Sequence, residues 1–157
     1  MRNKIEIIDE FLSDELCDYF INYFEKNESL RKTHKVNNGN LVDIDITRRK
    51  EFSELFDKIN NHVKDQQCKI DWIKVTKWEP NLLQGLHQDD TSPETVYASI
   101  IYLNDNYKGG KTYFKEGTVV QPKKGRALFF NGMRYWHGVM PVKEEPRYTI
   151  AAWYKER

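Results

Sequence analysis

Four histidines are few enough in a chain of 157 residues to weigh one by one. His34 stands in a polar stretch beside Lys35 and Asn37 and reads as solvated. His62 adjoins Val63 on a helical pattern and reads as a helix-surface residue. His87 and His137 differ. In Gly85-Leu86-His87-Gln88-Asp89-Asp90, the imidazole and the first carboxylate are two residues apart. On a strand, residues i and i+2 point to one face, so both would project together. Asp90 would point to the other face and is the weaker ligand. Fifty residues on, Trp136-His137-Gly138-Val139-Met140-Pro141-Val142 carries a second strand-borne histidine. Two histidines and one carboxylate form the facial triad that holds non-haem Fe(II) and leaves coordination positions open. A histidine followed two residues later by a carboxylate is common by chance, so the pair alone carries little weight.

Arg147 strengthens it. It follows His137 by ten residues, and Arg147, Thr149, Ala151 and Trp153 would share one strand face. A fixed guanidinium with small side chains around it, at the inner end of a barrel, suits bidentate capture of a carboxylate. Taken without the histidines, Arg147 is equally an ordinary exposed strand arginine.

The elements that must position these groups change in character near residue 70. Ser13 is a helix N-cap followed by Asp14 and Glu15, and Leu16, Phe20, Tyr23 and Phe24 recur at helical spacing. A second helix is predicted over 49–66, where Phe52, Leu55, Phe56, Ile59 and Val63 form one stripe. Between them Leu41–Thr47 alternates like a strand, and the segment 37–47 is either a lid or part of a sheet. From Ile70 onward, strands are predicted at 70–78, 85–89, 95–103, 111–115, 126–130, 136–140 and 147–155, broken by Pro, Gly and Asn turns. The fold expected is mainly β with flanking N-terminal helices, a double-stranded β-helix (jelly roll, cupin-like barrel). One domain over 1–157 is expected, with helical support over about 1–69 and the barrel core over about 70–157.

Composition bounds the class. The balance of 25 basic and 24 acidic side chains gives a formal charge of +1, without the broad basic footprint of a nucleic-acid binder. The 8 Phe, 9 Tyr and 4 Trp, with many β-branched residues, exclude a disordered chain. No apolar run is long enough for a membrane helix, and Glu6, Asp9 and Glu10 interrupt the first apolar stretch, unlike a secretory signal. A cytoplasmic location is expected. Cys17 and Cys68 could form one disulfide or stand as two idle thiols; two thiols in a reducing compartment is the reading taken.

Several stretches together resemble one family, the 2-oxoglutarate- and Fe(II)-dependent oxygenases of the prolyl 4-hydroxylase-like branch. They are Leu86-His87-Gln88-Asp89, Ile101-Tyr102-Leu103-Asn104 and Gly109-Gly110-Lys111-Thr112-Tyr113-Phe114. They continue with Pro122-Lys123-Lys124-Gly125-Arg126-Ala127-Leu128-Phe129-Phe130, His137–Val142 and Arg147-Tyr148, while Ile7–Ser13 resembles the lead-in to the first helix. The resemblance implies that His87, Asp89 and His137 bind iron and that Arg147 pairs with the distal carboxylate of 2-oxoglutarate. It implies that Tyr102 hydrogen-bonds that carboxylate and that Trp78 occupies a place usually held by a cosubstrate-contacting tyrosine. Trp153 would stand at the entrance and Arg134 would meet the substrate.

The implied reaction consumes O₂ and decarboxylates 2-oxoglutarate to succinate while hydroxylating a substrate, with ascorbate as a supporting reductant. Prolyl 4-hydroxylation of a peptide or protein is the first expectation. The sequence leaves other readings open: hydroxylation of a small molecule or free amino acid, nucleic-acid demethylation, or a barrel that only binds or senses. Trp153 stands where the demethylating relatives carry a second arginine, which with the +1 charge counts against nucleic acid.

Overall fold

A computed structural model describes residues 3–89 and 92–157, with Arg49 and Glu51 described by backbone alone. The expectation for Asp90 therefore lies outside the described residues. In chain order the elements are β1 (Glu6–Ile8), α1 (Asp14–Lys26), β2 (Lys32–Thr33), β3 (Asn40–Asp43), α2 (Ser53–Val63), β4 (Cys68–Trp78), β5 (Gln84–His87) and β6 (Thr95–Tyr102). They continue with β7 (Lys108–Gly109), β8 (Thr112–Phe114), β9 (Val119–Val120), β10 (Ala127–Phe130), β11 (His137–Val139), β12 (Val142–Lys143) and β13 (Arg147–Glu156).

The strands form a seven-stranded sheet in the order β1-β10-β6-β13-β4-β3-β2 and a four-stranded sheet in the order β5-β11-β8-β9, with β12 and β7 paired separately. All these pairings are antiparallel. This is the jelly roll with flanking helices that the strand spacing predicts. The helical support needs amending, because β1, β2 and β3 join the large sheet and pin the N-terminal part to the barrel. Segment 37–47 resolves likewise: Asn40–Asp43 pairs with Lys74–Lys77 of β4.

Period-2 alternation divides the large sheet between two environments. On β13, Ile150, Ala152 and Tyr154 face a core shared with Phe20 and Phe24 of α1 and Leu55, Phe56 and Ile59 of α2. Arg147, Thr149, Ala151 and Trp153 face the opposite way and line a cavity. On β10, Phe129 joins the helix-side core while Leu128 and Phe130 pack with Phe114 and Val120 of the small sheet.

The helix ends follow from sequence. Ser13 accepts a hydrogen bond from the Leu16 amide, with Asp14 and Glu15 in the positive first turn. The second helix starts later than its stripe predicts, because Ile46–Phe52 forms 3₁₀ turns with a kink at Arg48. Cys17 and Cys68 are buried and not joined in a disulfide, and burial pushes the Cys17 thiol up to about 11. No helix among the described residues is long and apolar enough to cross a membrane.

Candidate metal centre and carboxylate pocket

Antiparallel register makes the histidine pair. His137, the first residue of β11, lies directly opposite His87, the last residue of β5, and their ring centroids are 4.3 Å apart. Asp89 arrives by a different route from the one its spacing predicts. It lies beyond the end of β5, held by a hydrogen bond from its amide to the Gly132 carbonyl at 2.9 Å, so no shared strand face aims it. Its Oδ1 is 3.2 Å from His137 Nε2 and 3.5 Å from His87 Nε2. The ligand atoms of the three residues all lie within 4.8 Å of one another.

The back of each ring fixes its tautomer. His87 Nδ1 is 2.9 Å from the Gly85 carbonyl and His137 Nδ1 is 2.8 Å from the Tyr135 carbonyl. A carbonyl only accepts, so each Nδ1 carries a hydrogen and each Nε2 faces Asp89. Two imidazole nitrogens and a carboxylate oxygen aimed at one another repel unless protons or a cation lie between them. A divalent cation satisfies all three at once, and N/O donors of this kind suit Fe(II). Trp153 Nε1 donates to Asp89 Oδ2 at 3.2 Å, leaving Oδ1 for the shared point. Burial alone would raise the Asp89 carboxyl; hydrogen bonds and charge from His137 and His87 outweigh it and hold the group well below the usual carboxylate range.

The same cavity, about 420 Å³ in volume, holds Arg147. Arg147 is only 2% exposed, and its guanidinium lies over the rings of Trp78 and Tyr102, with centroids 5.2 and 5.3 Å away. Its Nε donates to the Gly110 carbonyl at 3.1 Å, and Nη2 reaches the Thr112 hydroxyl at 3.4 Å. These contacts occupy only part of a five-donor fork, so a planar acceptor such as a carboxylate fits what is left. Gly110 has φ of +62°, and a Cβ there would come within 3.2 Å of Arg147 Cδ. Backbone and packing both require glycine at that turn.

The other expected residues fall on both sides of the cavity wall. Trp78 lines it beside Arg147, its cross-strand partner. Tyr102 is fully buried, and its hydroxyl bonds with that of Thr112. Trp153 lines the cavity and stacks on Trp72 at 4.7 Å. Arg134 is exposed, outside the lining, with its guanidinium over the Tyr135 ring. His34 is not simply solvated: it is half-buried and borders the cavity. Nor is His62 a bare surface residue, since its ring lies 4.0 Å from that of Phe129 and its Nε2 is 3.0 Å from Glu6.

Several residues that matter here escape sequence reasoning. Thr76 and Thr149 meet hydroxyl to hydroxyl at 2.6 Å on the cavity wall, a pairing that only the β4–β13 register could reveal. Gly132 gives the local signal of a turn, yet a Cβ there would lie 2.8 Å from Asp89 Cγ. Gly132 is thus a positioning residue for the carboxylate, and its backbone is not in the left-handed region. Gly132→Ala is expected to leave the melting temperature near that of the wild type. Metal affinity should fall about tenfold or more, the scale typical of outer-sphere changes, as read by calorimetric titration with Mn(II). Unchanged affinity would show that Asp89 is placed without Gly132.

Comparisons with known proteins agree with this geometry. The family model described as the 2OG-Fe(II) oxygenase superfamily matches residues 70–155, more than half of the chain. Prolyl 3-hydroxylase 1 of Gallus gallus is 40% identical over 65 residues, covering 37% of this chain; the chain spans only 9% of that protein's length. Among solved structures, the viral collagen prolyl hydroxylase vCPH from Paramecium Bursaria Chlorella virus-1, with 2OG, superposes with a TM-score of 0.79 at 21% identity, covering 98% of this chain and 96% of its own. A prolyl hydroxylase from Trichoplax adhaerens, in complex with a hypoxia inducible factor oxygen degradation domain peptide fragment, gives 0.78 at 19% identity, covering 98% and 84%. The two structures share the fold, and the match over 70–155 spans the barrel from β4 into β13: the chain belongs to the 2OG-Fe(II) oxygenase superfamily.

Proposed function

We propose that the chain is an Fe(II)- and 2-oxoglutarate-dependent dioxygenase that hydroxylates a prolyl residue of a peptide or protein. The observation that carries this reading is the shared aim of His87 Nε2, His137 Nε2 and Asp89 Oδ1, in one cavity with the buried Arg147. His87, Asp89 and His137 hold Fe(II), and Arg147 binds the distal carboxylate of 2-oxoglutarate. When bound, the iron with 2-oxoglutarate and O₂ supplies the oxidising chemistry, one oxygen atom passing into succinate and the other into the substrate hydroxyl.

The protein's own part is placement and shielding. Arg147 is held by its burial, by the Trp78 and Tyr102 rings and by its bond to the Gly110 carbonyl. The Tyr102 hydroxyl, given to Thr112, supports the pocket from behind, and the Thr112 hydroxyl also meets Arg147. Trp153 holds Asp89 and forms the wall on the substrate side. Arg134 sits on the loop whose Gly132 abuts Asp89, in reach of a substrate extending past the mouth.

A prolyl substrate takes support from the relatives' names. C4 is the ring carbon that the sequence resemblance implies; the 40% identity to a prolyl 3-hydroxylase favours C3 as a second reading. Proline-containing peptides incubated with Fe(II), 2-oxoglutarate, O₂ and ascorbate should gain one oxygen in mass and stimulate succinate release. Acid hydrolysis then separates 3- from 4-hydroxyproline. Silence across the panel, with turnover of another substrate class, would contradict the prolyl reading while leaving the dioxygenase intact.

A further inference from the structure

A second buried cation lines the same cavity and takes no part in the proposed metal or cosubstrate sites. Lys74 is 5% exposed, on the inner face of β4. Its Nζ lies over two indoles, 4.7 Å from the Trp72 ring centroid and 5.0 Å from that of Trp153. Those rings stack on each other as cross-strand partners. Nζ makes no hydrogen bond to a described residue and is not sealed away, so it faces the open cavity. The nearby carboxylates are engaged elsewhere: Asp43 accepts from Trp72 Nε1 and Lys32, and Asp89 faces the triad and Trp153. Burial lowers the ammonium to about 8, with Asp43 and Asp89 opposing that shift, so it remains mainly charged near neutral pH.

An ammonium that faces a confined cavity on a buried stem has N–H donors free for whatever enters there, and an acceptor that displaces water from them gains most. Cation–π contact with two indoles fixes the stem, but supplies no acceptor. The register separates the two cations: Arg147 pairs with Trp78 at one end of the β4–β13 ladder, while Lys74 pairs with Ala151 four positions away, roughly 13 Å along the strand. Trp153, two residues beyond Ala151, touches both Lys74 and Asp89. The cavity is thus lined by the triad and by two cations set apart along the ladder, and its 420 Å³ lies in the range of pockets that enclose ligands larger than a five-carbon diacid.

We propose that Lys74, held by Trp72 and Trp153, is a carboxylate-binding residue for the substrate, so that the molecule hydroxylated carries a carboxylate close to the reacting carbon. This rests on the oxygenase reading of the triad and deepens it. The carboxylate can come from the reacting residue itself, as in a free amino acid or a C-terminal proline, or from an acidic side chain beside it. Lys74 is then the specificity-determining residue of the substrate half, and a neutral peptide is a poor ligand.

Paired probes separate these sources. Calorimetric titration of the Mn(II)- and 2-oxoglutarate-loaded protein, without O₂, would compare N-acetylproline with N-acetylprolinamide, and acetyl-Asp-Pro-amide with acetyl-Asn-Pro-amide. The acid of at least one pair is expected to bind about tenfold tighter than its neutral partner, the scale of a charge-assisted hydrogen bond. Lys74→Met should erase that preference with little change in 2-oxoglutarate affinity, and Lys74→Arg should keep part of it. Equal binding of acid and neutral probe in both pairs by the wild type, failure of all probes to bind included, overturns the proposal. So does a preference that survives in Lys74→Met, or a loss of 2-oxoglutarate affinity there that would move Lys74 to the cosubstrate half. If 2-oxoglutarate fails to bind the wild type with Mn(II), the oxygenase reading itself has failed; if it binds and the probe preference is missing, only the Lys74 proposal has.

Discussion

Replacing Asp89 with alanine is expected to weaken Fe(II) binding by more than ~100-fold, beyond the range that outer-sphere partners command, and to abolish 2-oxoglutarate decarboxylation. Asp89 supplies the only negative charge among the three converging groups, and its Oδ1 is the atom both Nε2 atoms approach. The carboxylate is also the acceptor for the Trp153 indole and packs against Gly132. Alanine removes charge, acceptor and volume together. Asp89→Asn keeps the volume and an acceptor for Trp153 while removing the charge, so it should retain the melting temperature and still bind metal poorly. Titration with Mn(II) beside a melting curve separates these effects. Strong metal binding by Asp89→Ala would mean that the histidines bind with some other ligand.

The second large effect is expected at Arg147. A buried guanidinium packed over two aromatic rings presents its remaining donors in a defined plane, and a bidentate carboxylate contact consists of two charge-assisted hydrogen bonds. Each is worth ~1.5–3 kcal/mol, so Arg147→Met should weaken 2-oxoglutarate binding about 100-fold or more. Methionine fills much of the space between Trp78 and Tyr102 without a charge. Arg147→Lys keeps the charge but loses the fork, and should fall between the two. Metal affinity measured without 2-oxoglutarate should stay near the wild-type value in both variants. An unaltered 2-oxoglutarate affinity in Arg147→Met would remove the distal-carboxylate role.

How much of this was legible in the chain depended on whether a role was local. The stripe Phe52, Leu55, Phe56, Ile59 and Val63 names a helix because all five must bury one face, and all five are buried. The start of α2 was not legible, since the 3₁₀ turns of Ile46–Phe52 depend on Asp45 accepting from the Thr47 amide just ahead of the stripe. The seven strands after residue 70 were readable from turn residues between alternating segments. The short β1, β2, β7, β9 and β12 were not, because no alternating segment between turn residues surrounds them.

At the site, residue identities were more legible than the reasons for their placement. His87 and Asp89 do converge, but the carboxylate is aimed by a backbone bond to Gly132 rather than by strand alternation. Tyr102 is expected to reach a ligand; that its hydroxyl also meets Thr112 was not legible, because the opposing position of Thr112 depends on how the two sheets face each other. Lys74 gives no signal in sequence, where it is one of 25 basic residues. Its burial follows only from the register that sets Trp72, Lys74, Thr76 and Trp78 against the inward face of β13.

The most direct test of the central claim is an anaerobic titration with Fe(II) and 2-oxoglutarate, following the visible charge-transfer absorption of the cosubstrate chelated to iron. Wild-type protein is expected to develop the band with one equivalent of each, and His87→Ala to lose it. A band that persists unchanged in His87→Ala, or that never forms in the wild type, would contradict the assignment of the metal centre.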